Sequence, residues 1–147
     1  MKSNSEDYMK YWRVIRQFAK VRYELTQSDL DMMFFLYSEK YFDKDKFAEF
    51  DTLLKWDVNR FESLRNRGWI EVFRQRMGKR KALYQLSIKA RRVIQSMYRK
   101  MSGEEIPTSN SFNKMFLKNV SYTDKVYRDM IIKMNEAIKQ QRHPSPE

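Results

Sequence analysis

Glycine and proline are so scarce in this chain that their positions divide it. Three of each occur in 147 residues. Gly68 and Gly103 follow runs with helical spacing, and Gly78 stands between two strand-like runs. Pro107, Pro144 and Pro146 fall outside every periodic pattern. These residues are the strongest local punctuators of regular structure, so a chain with so few of them at such places is predicted to be mostly helix with a single hairpin.

The apolar positions fill in the elements. Tyr8, Tyr11, Trp12, Ile15, Phe18, Ala19 and Tyr23 recur at helical spacing and predict a long first helix with one apolar face. Thr26, with Asp29 three residues on, can cap a second helix carrying Leu30, Met33, Phe34 and Tyr37. Asp43 or Asp45 can cap a short third helix with Phe47 and Phe50. A fourth, containing Phe61 and Leu64, ends at Gly68. Asp57 is a candidate cap for it, although Leu53 and Leu54 could belong to the same helix. Trp69 to Arg74 reads as a strand, Arg76 to Arg80 as a turn, and Ala82, Tyr84 and Leu86 alternate along a second strand. Ser87 can cap a fifth helix lined by Ala90, Val93, Ile94, Met97, Tyr98 and Met101. Phe112, Met115 and Phe116 form a short helical patch. Ser121 and Asp124 signal the start of a last long helix through Val126, Tyr127, Met130, Ile131, Met134, Ala137 and Ile138. Gln140 to Glu147 lacks apolar residues and is expected to be a mobile tail.

Composition narrows the function classes. The chain is long enough for one domain with its own core, and 41% hydrophobic residues argue against disorder. Without cysteine there is neither disulfide nor thiolate chemistry. The only histidine, His143, lies in the expected tail, so a histidine–cysteine metal site is excluded by count. Asp29–Asp31, Asp43–Asp45 and Glu104–Glu105 look like caps and solvated ends rather than acid–base pairs. No glycine-rich phosphate loop, nucleophile elbow or metalloprotease motif occurs. We therefore expect no enzyme, no cofactor and no metal. No apolar run approaches the ~20 residues that cross a bilayer, and no secretory leader is visible, so no membrane partner and a cytoplasmic location are expected.

The charge is not spread evenly. Residues 60 to 100 hold thirteen Lys or Arg against Glu62 and Glu71, a net +11 that equals the formal charge of the whole chain. Basicity gathered in one block suits a polyanion, because it steers encounter and displaces counterions from phosphates. A solvated face is the plainer explanation of such a run. Here, however, it coincides with a helix, a hairpin and a helix.

A short helix, then a helix that runs straight into a hairpin, is the winged helix-turn-helix order. In it the second helix of the pair enters the major groove and the hairpin reaches the adjoining backbone or minor groove. The residues here resemble the MarR-type winged-helix transcription regulators. Gly78-Lys79-Arg80, the alternating Lys81 to Gln85, and Leu86-Ser87-Ile88-Lys89-Ala90 match that family's wing and following helix start. Leu64-Arg65-Asn66-Arg67-Gly68-Trp69-Ile70 matches its helix ending. Gly78 stands where the family's wing has Asp, and Ser87 and Ala90 where it has Thr and Gly. The resemblance implies a mainly α fold with one β-hairpin wing and long N- and C-terminal dimerisation helices. On that reading residues 1–139 form one domain, with a winged-helix core over about 26–101 and dimerisation helices over about 6–24 and 108–139. It implies a homodimer that binds double-stranded DNA as a transcription regulator. A small aromatic ligand between the Met-rich helices and the DNA-binding lobe is a further partner the resemblance allows.

The expected DNA-binding residues follow from this layout. If Asp57 caps the fourth helix, Asn59 and Arg60 lead it into the groove, with Ser63 and Arg67 on a compatible face. If the helix starts earlier, Lys55 leads. Arg suits guanine and Asn suits adenine. Arg76, Lys79, Arg80 and Lys81 are expected to meet phosphate or the minor groove from the wing. Tyr8, Trp12, Ile15, Tyr127, Met130, Ile131 and Ile138 are expected at a two-fold dimer interface. Two other classes stay open: a winged-helix structural or protein-interaction module of a larger assembly, and a replication or RNA-associated factor using the same basic face.

Overall fold

The structure, a computed structural model, describes residues 8 to 142. The described residues form six α-helices, a two-stranded antiparallel hairpin and one short 3-10 turn. In chain order these are α1 (Tyr8–Tyr23), α2 (Gln27–Tyr37), α3 (Lys44–Asp51), α4 (Arg60–Asn66), β1 (Ile70–Arg74), β2 (Leu83–Leu86), α5 (Ile88–Met101), the 3-10 turn (Lys114–Phe116) and α6 (Tyr122–Arg142). This is the winged helix-turn-helix order flanked by long helices. The chain divides into two compact units: Leu25–Gln95, and the segments before and after it.

In the Leu25–Gln95 unit the local chemistry sets the helix ends. Thr26 and Asp29 form a capping box at α2: the Thr26 hydroxyl accepts from the Asp29 N–H at 3.0 Å, and the Asp29 carboxylate accepts from the Thr26 N–H. Asp43 caps α3 by accepting from the Lys46 N–H at 2.8 Å. Helix α4 ends in a Schellman motif. Trp69 N–H donates to the Leu64 carbonyl and Gly68 N–H to that of Arg65, with Gly68 at φ +83°. An L side chain rarely takes that backbone, so the glycine stops the helix and releases the chain directly into β1. Leu53 and Leu54 lie in the loop after α3 and belong to neither neighbouring helix.

The hairpin pairs Ile70 with Leu86 and Val72 with Tyr84, then slips by one residue so that Arg74 faces Leu83. That bulge leaves Phe73 outside the regular register, where its ring stacks on Tyr41. A third short stretch joins the sheet. Phe42 and Tyr84 exchange backbone hydrogen bonds of 3.0 and 2.7 Å, a pairing that no run of β-formers announces. Phe61 of α4 stands edge-on to Phe47 of α3 at 5.1 Å and to Tyr84 of β2 at 4.9 Å. Such T-shaped pairs add about 0.5–1.5 kcal/mol beyond burial and fix α4 between α3 and the hairpin.

In the other unit α1 packs against α6 and the 3-10 turn. Two buried asparagines hold the connecting segment. Asn135 of α6 accepts from the Ile106 N–H and donates to the Ile106 carbonyl, both at 2.9 Å. Asn113 donates to the Pro107 carbonyl and accepts from the Met115 N–H. Ser121 caps the start of α6 by accepting from the Asp124 N–H. Gln140 to Arg142, expected in the tail, continue α6. Arg142 pairs with Glu105 and donates to the Gly103 carbonyl, which gives the last helical turn something to hold. His143 lies outside the described residues. No helix among those residues is long and apolar enough to cross a membrane.

Candidate nucleic-acid interface

Helix α4 begins at Arg60, with Asn59 as its cap residue and no side-chain capping bond. Asp57 lies two residues further out: its carboxylate accepts from the Asn59 N–H at 2.9 Å, and its carbonyl from the Arg60 N–H at 3.2 Å. The inward packing of Phe61 and Leu64 decides which side chains of this helix point outward.

Arg60, expected at the leading edge, instead points inward, with 4% of its surface exposed. Its guanidinium donates to Asp51 at 2.7 Å and twice to the Lys55 carbonyl, and its Nε lies 3.7 Å from Asp29. The expectation that Arg60 reads a base is therefore corrected. A guanidinium in an apolar interior is stable only beside counter-charges, and Asp29 and Asp51 supply them. Arg67 is exposed but held at the side of α2, donating to Asp29 at 2.9 Å and to the Ser63 hydroxyl at 3.0 Å. Ser63 is half-buried beneath it. Lys55 and Asn59 are exposed, but the helix does not start early enough for Lys55 to lead it.

With Phe61 and Leu64 inward, the face of α4 directed at solvent consists of Asn59, Glu62 and Asn66, with Arg65 beside them. Arg65 lies over the Tyr84 ring at 5.7 Å. The sequence reading missed Glu62, Arg65 and Asn66. Spacings of three and seven residues from Asn59 would have found Glu62 and Asn66 once Phe61 and Leu64 fixed the inward side.

The hairpin end is a two-residue turn. Met77 and Arg80 exchange backbone hydrogen bonds of 3.1 and 2.9 Å around Gly78 and Lys79, with Gly78 at φ +58°. A positive φ at the first central position is what glycine supplies in this class of turn. Nothing lies within 4 Å of where a Gly78 Cβ would stand, so the turn tip is open. Arg76, Lys79 and Arg80 are all exposed there; Arg76 donates to the Gly78 carbonyl at 3.3 Å. Lys81 is tied back to α3 by a hydrogen-bonded ion pair with Asp45. That bond, and then the Asp45 charge, hold the Lys81 ammonium above its ordinary pKa.

Much of the rest of the basic block is engaged locally, although Arg92 is exposed. Lys89 donates to the Arg67 carbonyl and lies 4.0 Å from the centre of the Trp69 ring, while Arg91 lies over Tyr37. Arg99 and Lys100 both pair with Glu104. The basic surface left around the hairpin is thus narrower than the sequence suggests. Among the described residues no group of three or more metal-ligating side chains comes together.

The expected dimer residues divide. Tyr8 is exposed, and Trp12, Tyr127 and Met130 are half-buried. Ile15, Ile131 and Ile138 are buried within the chain. Their place at an interface is corrected, because the apolar stripe of each helix is wider than one contact and its centre turns inward.

No established family profile matches the chain, and no curated protein does. Two solved structures resemble it. The disulfide form of AbfR is 13% identical with a TM-score of 0.46, the match covering 95% of this chain and 86% of that one. Reduced AbfR bound to DNA is 16% identical with a TM-score of 0.43, covering 92% and 94%.

Proposed function

We propose that this chain is a winged-helix protein that binds double-stranded DNA sequence-specifically, acting as a homodimeric transcription regulator of the MarR type. The observation that carries the reading is the pairing of two surfaces in one unit. A short helix is anchored by aromatic contacts and leaves a polar face of Asn59, Glu62 and Asn66 toward solvent. A hairpin behind it presents Arg76, Lys79 and Arg80 at an open turn. The first surface is chemically suited to base edges. Asn pairs with adenine, and a carboxylate accepts from the cytosine amino group but is repelled by phosphate. The second is suited to the backbone or minor groove, where it positions the protein without reading sequence.

The test is selection of bound sequences from a random duplex library, followed by a salt series on the winner. An enriched two-fold symmetric site, with affinity falling steeply as salt rises, is the expected result. A preference for single-stranded RNA in direct competition would move the protein to the RNA-associated class. No binding to either nucleic acid would leave the structural-module class.

A further inference from the structure

The loop between α3 and α4 carries four large apolar side chains in six residues, and three of them turn outward while Leu54 is half-buried. Leu53 is 69% exposed, Trp56 61% and Val58 71%. Single exposed apolar residues are ordinary, but a cluster on one loop calls for a partner. The loop is also braced from inside. The Arg60 guanidinium donates twice to the Lys55 carbonyl while paired to Asp51. The Asp57 N–H donates to the other Asp51 oxygen at 3.4 Å, and the Asp57 carboxylate accepts from the Asn59 N–H. A buried ion pair thus holds a segment whose side chains contribute little to the core, the arrangement of a pre-organised recognition element.

We propose that Trp56 and Val58 read the 5-methyl groups of thymine in the major groove, immediately ahead of the polar face of α4. This rests on the double-stranded DNA reading above. Charge argues for a base edge rather than the backbone. Lys55 is offset by Asp57, and Glu62 stands on the first turn of α4, so the surroundings of the apolar pair have no surplus of positive charge to offer a phosphate. The thymine methyl is the apolar group that the major groove presents, and apolar side chains are its complement. The segment leads directly into the helix that the fold presents for groove entry, so its side chains and Asn59 would meet neighbouring base pairs. The occupant is the groove floor; a protein surface is the competing partner.

The test keeps the protein intact and alters only the DNA. Each thymine of the selected duplex is replaced in turn by deoxyuridine, which removes one methyl and leaves every hydrogen-bonding group. Binding should weaken about fourfold at one or two thymines per half-site, the expected effect of losing one buried methyl. In Val58→Ala or Trp56→Ala that penalty should shrink or vanish at one of the same positions. Both side chains are exposed, and circular dichroism checks that the variants fold. Tight binding with no uracil penalty anywhere, a selected site lacking thymine, or a penalty unchanged in both variants would overturn the proposal while leaving DNA binding intact. Absence of any duplex binding would overturn the function reading itself, and this proposal with it.

Discussion

Arg60 shows how a single side chain decides what its neighbours can do. Removing a guanidinium from water costs several kcal/mol, and only close counter-charges and hydrogen bonds offset it. Asp51, Asp29 and the Lys55 carbonyl supply them, although the Nε itself has no hydrogen-bond acceptor. Arg60→Ala would leave Asp51 buried without its partner and should lose about 3–5 kcal/mol of stability in urea unfolding. Exchanging both partners for apolar residues, Arg60→Met with Asp51→Leu, should recover much of that loss. Losses that simply add would mean the two side chains are not coupled. At the wing the expected effects are electrostatic. Arg80→Ala should weaken all duplexes similarly and flatten the salt slope by about one unit. Asp45→Ala should do the opposite: it frees Lys81 and removes a carboxylate, so non-specific affinity should rise and the slope steepen. If Lys81 faces away from DNA, salt titration of that variant will match the unaltered protein.

Among the elements, the end of α5 carries a pH dependence. Burial pushes the Glu104 carboxyl up, but hydrogen bonds and charge from Lys100, then Arg99, outweigh it and hold the group below its ordinary value of 4.5. A carboxylate with a depressed folded-state pKa contributes stability that is fully present above 4.5 and is lost as pH falls through the lower folded value. Glu104→Gln should therefore flatten the acid limb of the stability curve below about pH 4.5 while leaving it parallel at neutral pH. Equal acid sensitivity in both proteins would assign that limb to other carboxylates. The element boundaries were legible where a local chemical device sets them. Thr26 with Asp29, Asp43, Ser87 and Ser121 each cap a helix in the structure as their residue types and spacing suggest. The strand alternation of Tyr84 and Leu86 is local too, and both are buried. What the sequence left hidden depends on distant partners. The inward turn of Arg60 is decided by Asp29, thirty-one residues earlier, and by Asp51. The Phe42–Tyr84 pairing joins residues forty-two apart. Asp57 has the chemistry of a helix cap, but it bonds the Asn59 N–H in a turn ahead of the helix, which starts only at Arg60.

For the whole molecule, assembly is the remaining question, and it turns on the outer helices. Ile15, Ile131 and Ile138 are already enclosed, so they cannot drive association. Tyr8, Met9, Tyr122 and Val126 are nevertheless exposed. Tyr122, Val126, Tyr127 and Met130 line an open, mostly apolar cleft of about 370 Å³, rimmed by Lys10 and Arg13. An apolar surface of this kind on adjacent helices favours a self-complementary partner, because a two-fold axis covers the same patch on both copies. The expected dimer is therefore centred on Tyr8, Trp12, Tyr122, Val126, Tyr127 and Met130. Light scattering at micromolar concentration should give twice the chain mass. Val126→Asp places a charge on that patch without touching the core, so it should yield a folded monomer by circular dichroism and scattering. Two linked half-site contacts bind far more tightly than one. The monomer should therefore lose more affinity for a two-fold site than Arg80→Ala does, while keeping the affinity of the dimer for an isolated half-site. A variant that stays dimeric would move the interface elsewhere, and an unaltered chain that scatters as a monomer would remove the homodimer from the proposed function.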